Sequence, residues 1–265
     1  MRLAEGEAVK PFHNNLLREI TIGVIFAATI IAVPNFVFMP SENFGSWIAI
    51  FFGFFGTLLG AIIGAMTSLA VYRKQKFERQ ITDAYSIWLT SQVAYSDFIV
   101  LKKWLDEAPQ KAAAQKLKYH YMWQALEPVV SSPAPISLPT VQLAVFAEAK
   151  EYVLLQDLML LGLKHRSTSI AVDVYTKYRT EMRDIMSKKI GELGPKGAKS
   201  FASFFSKEEL QQLQPRFAEL ESLIMDIRKA LIEDIEFSKK IVFAIGPAGR
   251  KYFGEDKFPN VRLEN

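Results

Sequence analysis

The chain has 265 residues, 50% of them hydrophobic and 23% charged, with a formal net charge of +4 and no cysteine. The lack of cysteine removes disulfides, thiolate chemistry and cysteine metal sites, and fits a reducing compartment. The basic excess is too dilute for a nucleic-acid footprint, which would show clustered Lys and Arg within a readable motif, so no nucleic acid is expected as a partner.

Residues 1–19 mix Arg2, Lys10 and Arg18 with Glu5, Glu7 and Glu19, a short cytoplasmic segment by expectation. From there to Arg73 the only charged side chain is Glu42. It separates two uncharged runs, Ile20–Ser41 and Asn43–Tyr72. A helix crosses a bilayer core about 30 Å thick with roughly 20 mostly apolar residues, and both runs reach that length. Residues 20–72 are therefore expected to form a transmembrane hairpin with spans over about 20–38 and 46–72. The first run is too long for the apolar part of a signal peptide, and a second follows at once, so it reads as an uncleaved span. Pro34-Asn35 near its end reads as a helix terminus entering the loop rather than as a break lining a site.

Lys and Arg beside the ends of spans mark the cytoplasmic side. The connecting segment Met39–Ser46 has none, whereas Arg73, Lys74, Lys76 and Arg79 follow the second span closely. Both termini are thus expected to be cytoplasmic, with those four residues at the inner membrane surface. Phe36, Phe38, Phe44 and Trp47 at the loop end and Tyr72 at the inner end suit an aromatic belt.

Gly56, Gly60, Gly64 and Ser68 recur at every fourth residue of the second span, with Gly53 close by. That spacing keeps them near one helix face, where absent side chains let two backbones approach. The partner is either the first span, with Gly23, Ala27 and Ala28, or the second span of another chain. Neither span holds an ionisable residue, which argues against an ion-coupled transporter.

After Tyr72 apolar residues recur at steps of three and four, so the rest of the chain is expected to be helical, a cytoplasmic domain over 73–247. A first helix runs to about Asp106 with Ile81, Tyr85, Trp88, Leu89, Val93 and Ile99 on one stripe, uninterrupted from Ser46 and ended by Pro109. A short helix covers Lys111–Leu126. Pro128, Pro133, Pro135 and Pro139 punctuate a loop. Further helices are expected from Pro139 to Leu163 and over Ile170–Leu193, separated by a turn at Lys164–Ser169. Ser206 and Glu209 form a capping box that opens the last helix. Its residues Leu210, Leu213, Phe217, Leu220, Ile224, Ile227 and Leu231 alternate steps of three and four. They suit a helix packed in its own bundle, with an intermolecular coiled coil as the alternative. Asp234 and Ser238 interrupt that seam. Gly246-Pro247 is expected to stop the helix, and Ala248–Asn265 reads as a loosely ordered tail.

No catalytic constellation stands out. His13, His120 and His165 are scattered without metal-ligand spacing. Gly191–Ser200 fails as a phosphate loop, because Ala198 separates glycine from lysine and serine and no strand precedes it. Trp88, Trp104 and Trp123, with Tyr119 and Tyr121, read as a buried aromatic core in preference to a stacking platform.

The expected fold class is an all-α membrane protein: an N-terminal two-helix transmembrane hairpin followed by a cytoplasmic multi-helix bundle with long helices. The expected role is non-enzymatic, an interaction domain held at the bacterial inner membrane and self-associating through the glycine ladder. Its partners would be the lipid bilayer, further copies of itself and a cytoplasmic protein; no cofactor or metal is expected. The alternative is an oligomeric channel or membrane-permeabilising effector gated by the cytoplasmic domain, with Asn35, Thr57 and Thr67 as pore-lining candidates.

Overall fold

The computed structural model describes residues 44–114, 120–129, 131–193 and 205–258. The expected first span, the N-terminal segment and most of the connecting loop lie outside these. Among the described residues every element is helical: α1 Phe44–Ala114, α2 Met122–Ala125, α3 Thr140–Glu148, α4 Tyr152–Leu193 and α5 Lys207–Phe253. The chain divides into two compact units, Met1–Arg73 and Lys74–Asn265.

In the first unit α1 is apolar all round, with a mean hydropathy of 1.9 in its most apolar window. It is long and apolar enough to span a membrane. Each of its glycines costs about 1 kcal/mol of helix propensity against alanine. An unbonded backbone amide in hydrocarbon costs several times more, so in that solvent the helix persists.

In the second unit the helices bury one stripe each. On α1 the stripe includes Ala84, Ile87, Ala94, Phe98, Leu101 and Leu105, all at most 4% exposed. α5 packs along α4, α3 on α4 and α2 on α5. Phe217, Leu220, Ile224, Ile227 and Leu231 of α5 are buried in this same core. The seam read from the sequence therefore works within the chain. Pro215 lies inside α5 without ending it. The Ser206 capping box forms: its hydroxyl accepts from Glu209 N at 3.2 Å, and Ser206 N donates to the Glu209 carboxylate at 2.8 Å.

Several expected breaks are absent or displaced. α1 continues past Asp106 and Pro109 to Ala114, its last turns held to the core by the buried Ala108 and Ala112. That packing offsets the amide bond lost at the proline. Of the short helix expected over Lys111–Leu126, Lys111–Ala114 belongs to α1, residues 115–119 lie outside the described ones, and Met122–Ala125 is a separate element. The expected helix Pro139–Leu163 is interrupted at Ala149–Glu151, and the expected turn Lys164–Ser169 is helical, inside α4. The interruption is a Schellman turn: Lys150 N donates to Ala147 O at 3.0 Å and Glu151 N to Phe146 O at 2.9 Å. It places Lys150 at φ +60°.

The C-terminal end also differs from expectation. Gly246-Pro247 does not stop α5, which runs on to Phe253. The first part of the expected loose tail is docked, with Ala248, Phe253 and Phe258 at 8%, 5% and 1% exposure. Gly249 is what allows this: a Cβ there would sit 2.6 Å from the Phe258 ring.

Candidate functional site

Three groupings carry the residues singled out by the sequence. The first is the glycine ladder. Apart from the adjoining backbone of its own helix, no described atom lies within 4 Å of where a Cβ would stand on Gly53, Gly56, Gly60 or Gly64, so each faces open space among the described residues. Ser68 is exposed as well. The two threonine hydroxyls of this stretch are satisfied by their own helix. Thr57 Oγ1 donates to Gly53 O and Thr67 Oγ1 to Ile63 O, both at 2.8 Å. A hydroxyl back-bonded in this way brings no orphan donor into hydrocarbon.

The second grouping surrounds the basic cluster. Arg73, Lys74, Lys76 and Arg79 are all exposed, but their partners differ. Lys74 reaches Glu78 only at 3.9 Å. Lys76 donates to both Glu148 oxygens, at 3.2 and 3.3 Å, and Gln80 donates to the same carboxylate at 2.6 Å. Partial burial acts to raise the Glu148 carboxyl, but the bonds from Gln80 and Lys76 outweigh it and hold it below the usual range. Tyr252, which also bonds Glu148, is pushed up by burial and then by the Glu148 charge. Beside them Lys251 pairs with Glu151 at 2.6 Å. Phe77 meets the Phe253 ring edge-on at 5.6 Å between centroids, and Lys257 lies 4.9 Å from the Phe77 centroid. The start of this unit's part of α1, the α3–α4 turn and the C-terminal end of α5 thus form one collar. No local pattern in the sequence marks this meeting of three segments.

The third grouping is a buried polar spine. Lys164 Nζ donates to Asp234 at 2.5 Å, and Thr168 Oγ1 donates to the other Asp234 oxygen at 3.3 Å. The Asp234 side chain is 3% exposed and that of Lys164 is 30%. His165, 1% exposed, accepts from Ile136 N through Nδ1 at 3.3 Å and faces Asp97 through Nε2 at 3.0 Å. A nitrogen accepting from a backbone amide carries no proton, so the network assigns the imidazole proton to Nε2. Both nitrogens are then engaged, and neither is placed to take a proton from a substrate. His165 instead ties α1, α4 and the loop before α3 together.

The aromatic residues are mostly core. Trp123 is 1% exposed and stacks with Phe217 at 5.3 Å, while Arg179 covers it at 5.3 Å. The Tyr175 hydroxyl, pushed up by burial against the opposing charge of Arg179, donates toward the carbonyls of Trp123 and Leu126 at 3.4 Å. Tyr119 lies outside the described residues. An open cleft of 160 Å³ sits between α4 and α5, lined by Tyr178, Glu181, Met182, Arg216, Glu219 and Leu220. Among the described residues no three His, Asp or Glu side chains gather as metal ligands.

Comparison with protein-family models, with curated proteins and with solved structures returns no match to this chain.

Proposed function

We propose that the chain is an integral membrane protein. A hairpin over residues 20–72 holds the helical region at the inner, cytoplasmic face, where it binds copies of itself and protein partners without performing catalysis.

The observation that carries this reading is the exposure of α1 before Arg73. Phe52, Phe54, Ile63 and Tyr72 are 70%, 62%, 62% and 63% exposed, and Leu59, Met66, Leu69 and Val71 are 42–54% exposed. A large apolar side chain moved fully out of water gains about 1.5–3 kcal/mol. Even half-exposed, eight such residues represent on the order of 10 kcal/mol, as much as the whole net stability of a typical domain. A bilayer removes that cost, and the back-bonded hydroxyls of Thr57 and Thr67 do not need water.

Orientation rests on the exposed basic residues after the span, set against a loop that has none. Self-association rests on the open glycine face, which suits a second helix packed closely against it. Replacing Gly56, Gly60 and Gly64 together by leucine tests that part. Assembly size in detergent should fall, and an unchanged size would remove the ladder from the account.

A further inference from the structure

His165 lies on the buried face of α4, in line with Leu158, Leu161, Thr168 and Val172 at helical steps of three and four. Its ring meets α1 on one side and the loop 131–139 on the other. That loop holds Pro133, Pro135 and Pro139, which have no N–H to give. Among the described residues, 131–138 make no backbone–backbone hydrogen bond. The loop is held instead by the Ile136 amide, which donates to His165 Nδ1 at 3.3 Å. Ile136 and Leu138 pack against the core beside it. Leu138 Cδ1 lies 3.7 Å from where a Cβ would stand on Gly162 of α4.

We infer that His165 is a proton-operated latch on the loop 131–139, closed while the imidazole is neutral and released when it takes up a proton. The reason lies in the direction of its two bonds. A backbone N–H only donates, so the closed latch requires a bare Nδ1. An imidazolium carries a proton on both nitrogens. Its Nδ1–H then faces the Ile136 N–H, and two buried donors are left unpaired. The contact with Asp97 at 3.0 Å survives and strengthens, because a cation now donates to a carboxylate. The loop thus favours one protonation state and α1 the other. Imidazole is the side chain whose ordinary titration falls between about pH 5 and 8, so it is suited to choose between them.

The charges around the ring agree. From α1 it faces Asp97, whose side chain is 28% exposed, and the Phe98 ring at 5.4 Å. On α4 the neighbouring Lys164 is turned to Asp234 of α5, which Thr168 also bonds. The loop itself has no titratable side chain. Asp97 is the charge that answers a protonated His165. Release uncovers Ile136, Leu138 and the α4 surface at Gly162. Every residue involved lies beyond Arg73, so the latch does not depend on the membrane reading.

Hydrogen exchange over 131–139, read by mass spectrometry on the full chain in detergent from about pH 7.5 to about pH 5, tests this. Each rate is divided by the intrinsic rate at that pH. Protection of Ile136 should fall about tenfold on the acid side while α4 and α5 stay protected. In His165→Asn the amide oxygen can stand where Nδ1 stands and takes no proton, so the loop should stay protected throughout. Asp97→Asn removes the answering charge, and release should move to lower pH. In the double variant His13→Gln, His120→Gln, nitrogen NMR reads the His165 ring alone, and Nδ1 should gain its proton over the range in which the loop opens. Unchanged loop protection, an acid loss that persists in His165→Asn, a loss shared equally by α4 and α5, or an Nδ1 that stays bare while the loop opens would each overturn the latch.

Discussion

Lys164 and Asp234, 70 residues apart in the chain, meet at 2.5 Å where α4 packs on α5. The two partners are unequally buried, at 30% and 3% side-chain exposure. Removing one partner of a buried pair strands the other charge, at about 3–5 kcal/mol. Lys164 can swing toward water, whereas Asp234 cannot. Lys164→Met should therefore cost more than Asp234→Leu, about 3 kcal/mol or more against about 2 kcal/mol. The double variant should recover most of the loss. Guanidinium denaturation followed by helical circular dichroism measures all three, and additive losses would contradict the pairing.

The same residues explain what the sequence hid. Lys164–Ser169 reads as a turn because it is polar. It is polar because Lys164 and Thr168 bond Asp234 while His165 bonds Asp97 and Ile136. Asp234 and Ser238 likewise looked like an interruption of the α5 seam but are fully inside it. Local signals with their own chemistry were legible: the Ser206–Glu209 box, the apolar run before Arg73, the α5 stripe. Features made by distant partners were not, among them the docked tail and the helical run through Pro247.

Lys150 holds a left-handed backbone at φ +60°. A side chain there costs about 1 kcal/mol, which glycine avoids. Lys150→Gly should accordingly stabilise the fold by up to about 1 kcal/mol, read as a raised thermal midpoint. A lowered midpoint would show that the lysine side chain itself supports the turn.

Gly249→Ala would push a Cβ to within 2.6 Å of Phe258. The ring must leave its place beside Phe253 and Tyr85. The expected cost is about 1–3 kcal/mol. Limited proteolysis should show earlier cleavage around Lys257 than in the parent chain, and unchanged cleavage would refute the docked tail.

The collar should depend on pH at both ends. Glu148 has a carboxyl below its ordinary 4.5. It contributes stability above about pH 4.5, and that contribution is lost as pH falls through the lower folded value. Tyr252 lies above its ordinary 10.0. It contributes below about pH 10, and loses that contribution as pH rises through the higher folded value. With Glu148 still 43% exposed, each effect is small, about 0.5 kcal/mol. Hydrogen exchange at residues 250–253 should be slowest between those limits. In Glu148→Gln the acid-side change should vanish, while the alkaline one should shrink to the part that burial of Tyr252 supplies.

The central claim is that hydrocarbon is the solvent for α1 up to Tyr72. Its most direct test is fractionation of expressing cells by alkaline carbonate extraction and ultracentrifugation. The account predicts that the chain stays in the membrane pellet and is released only by detergent. A monodisperse chain in the carbonate supernatant without detergent would contradict it.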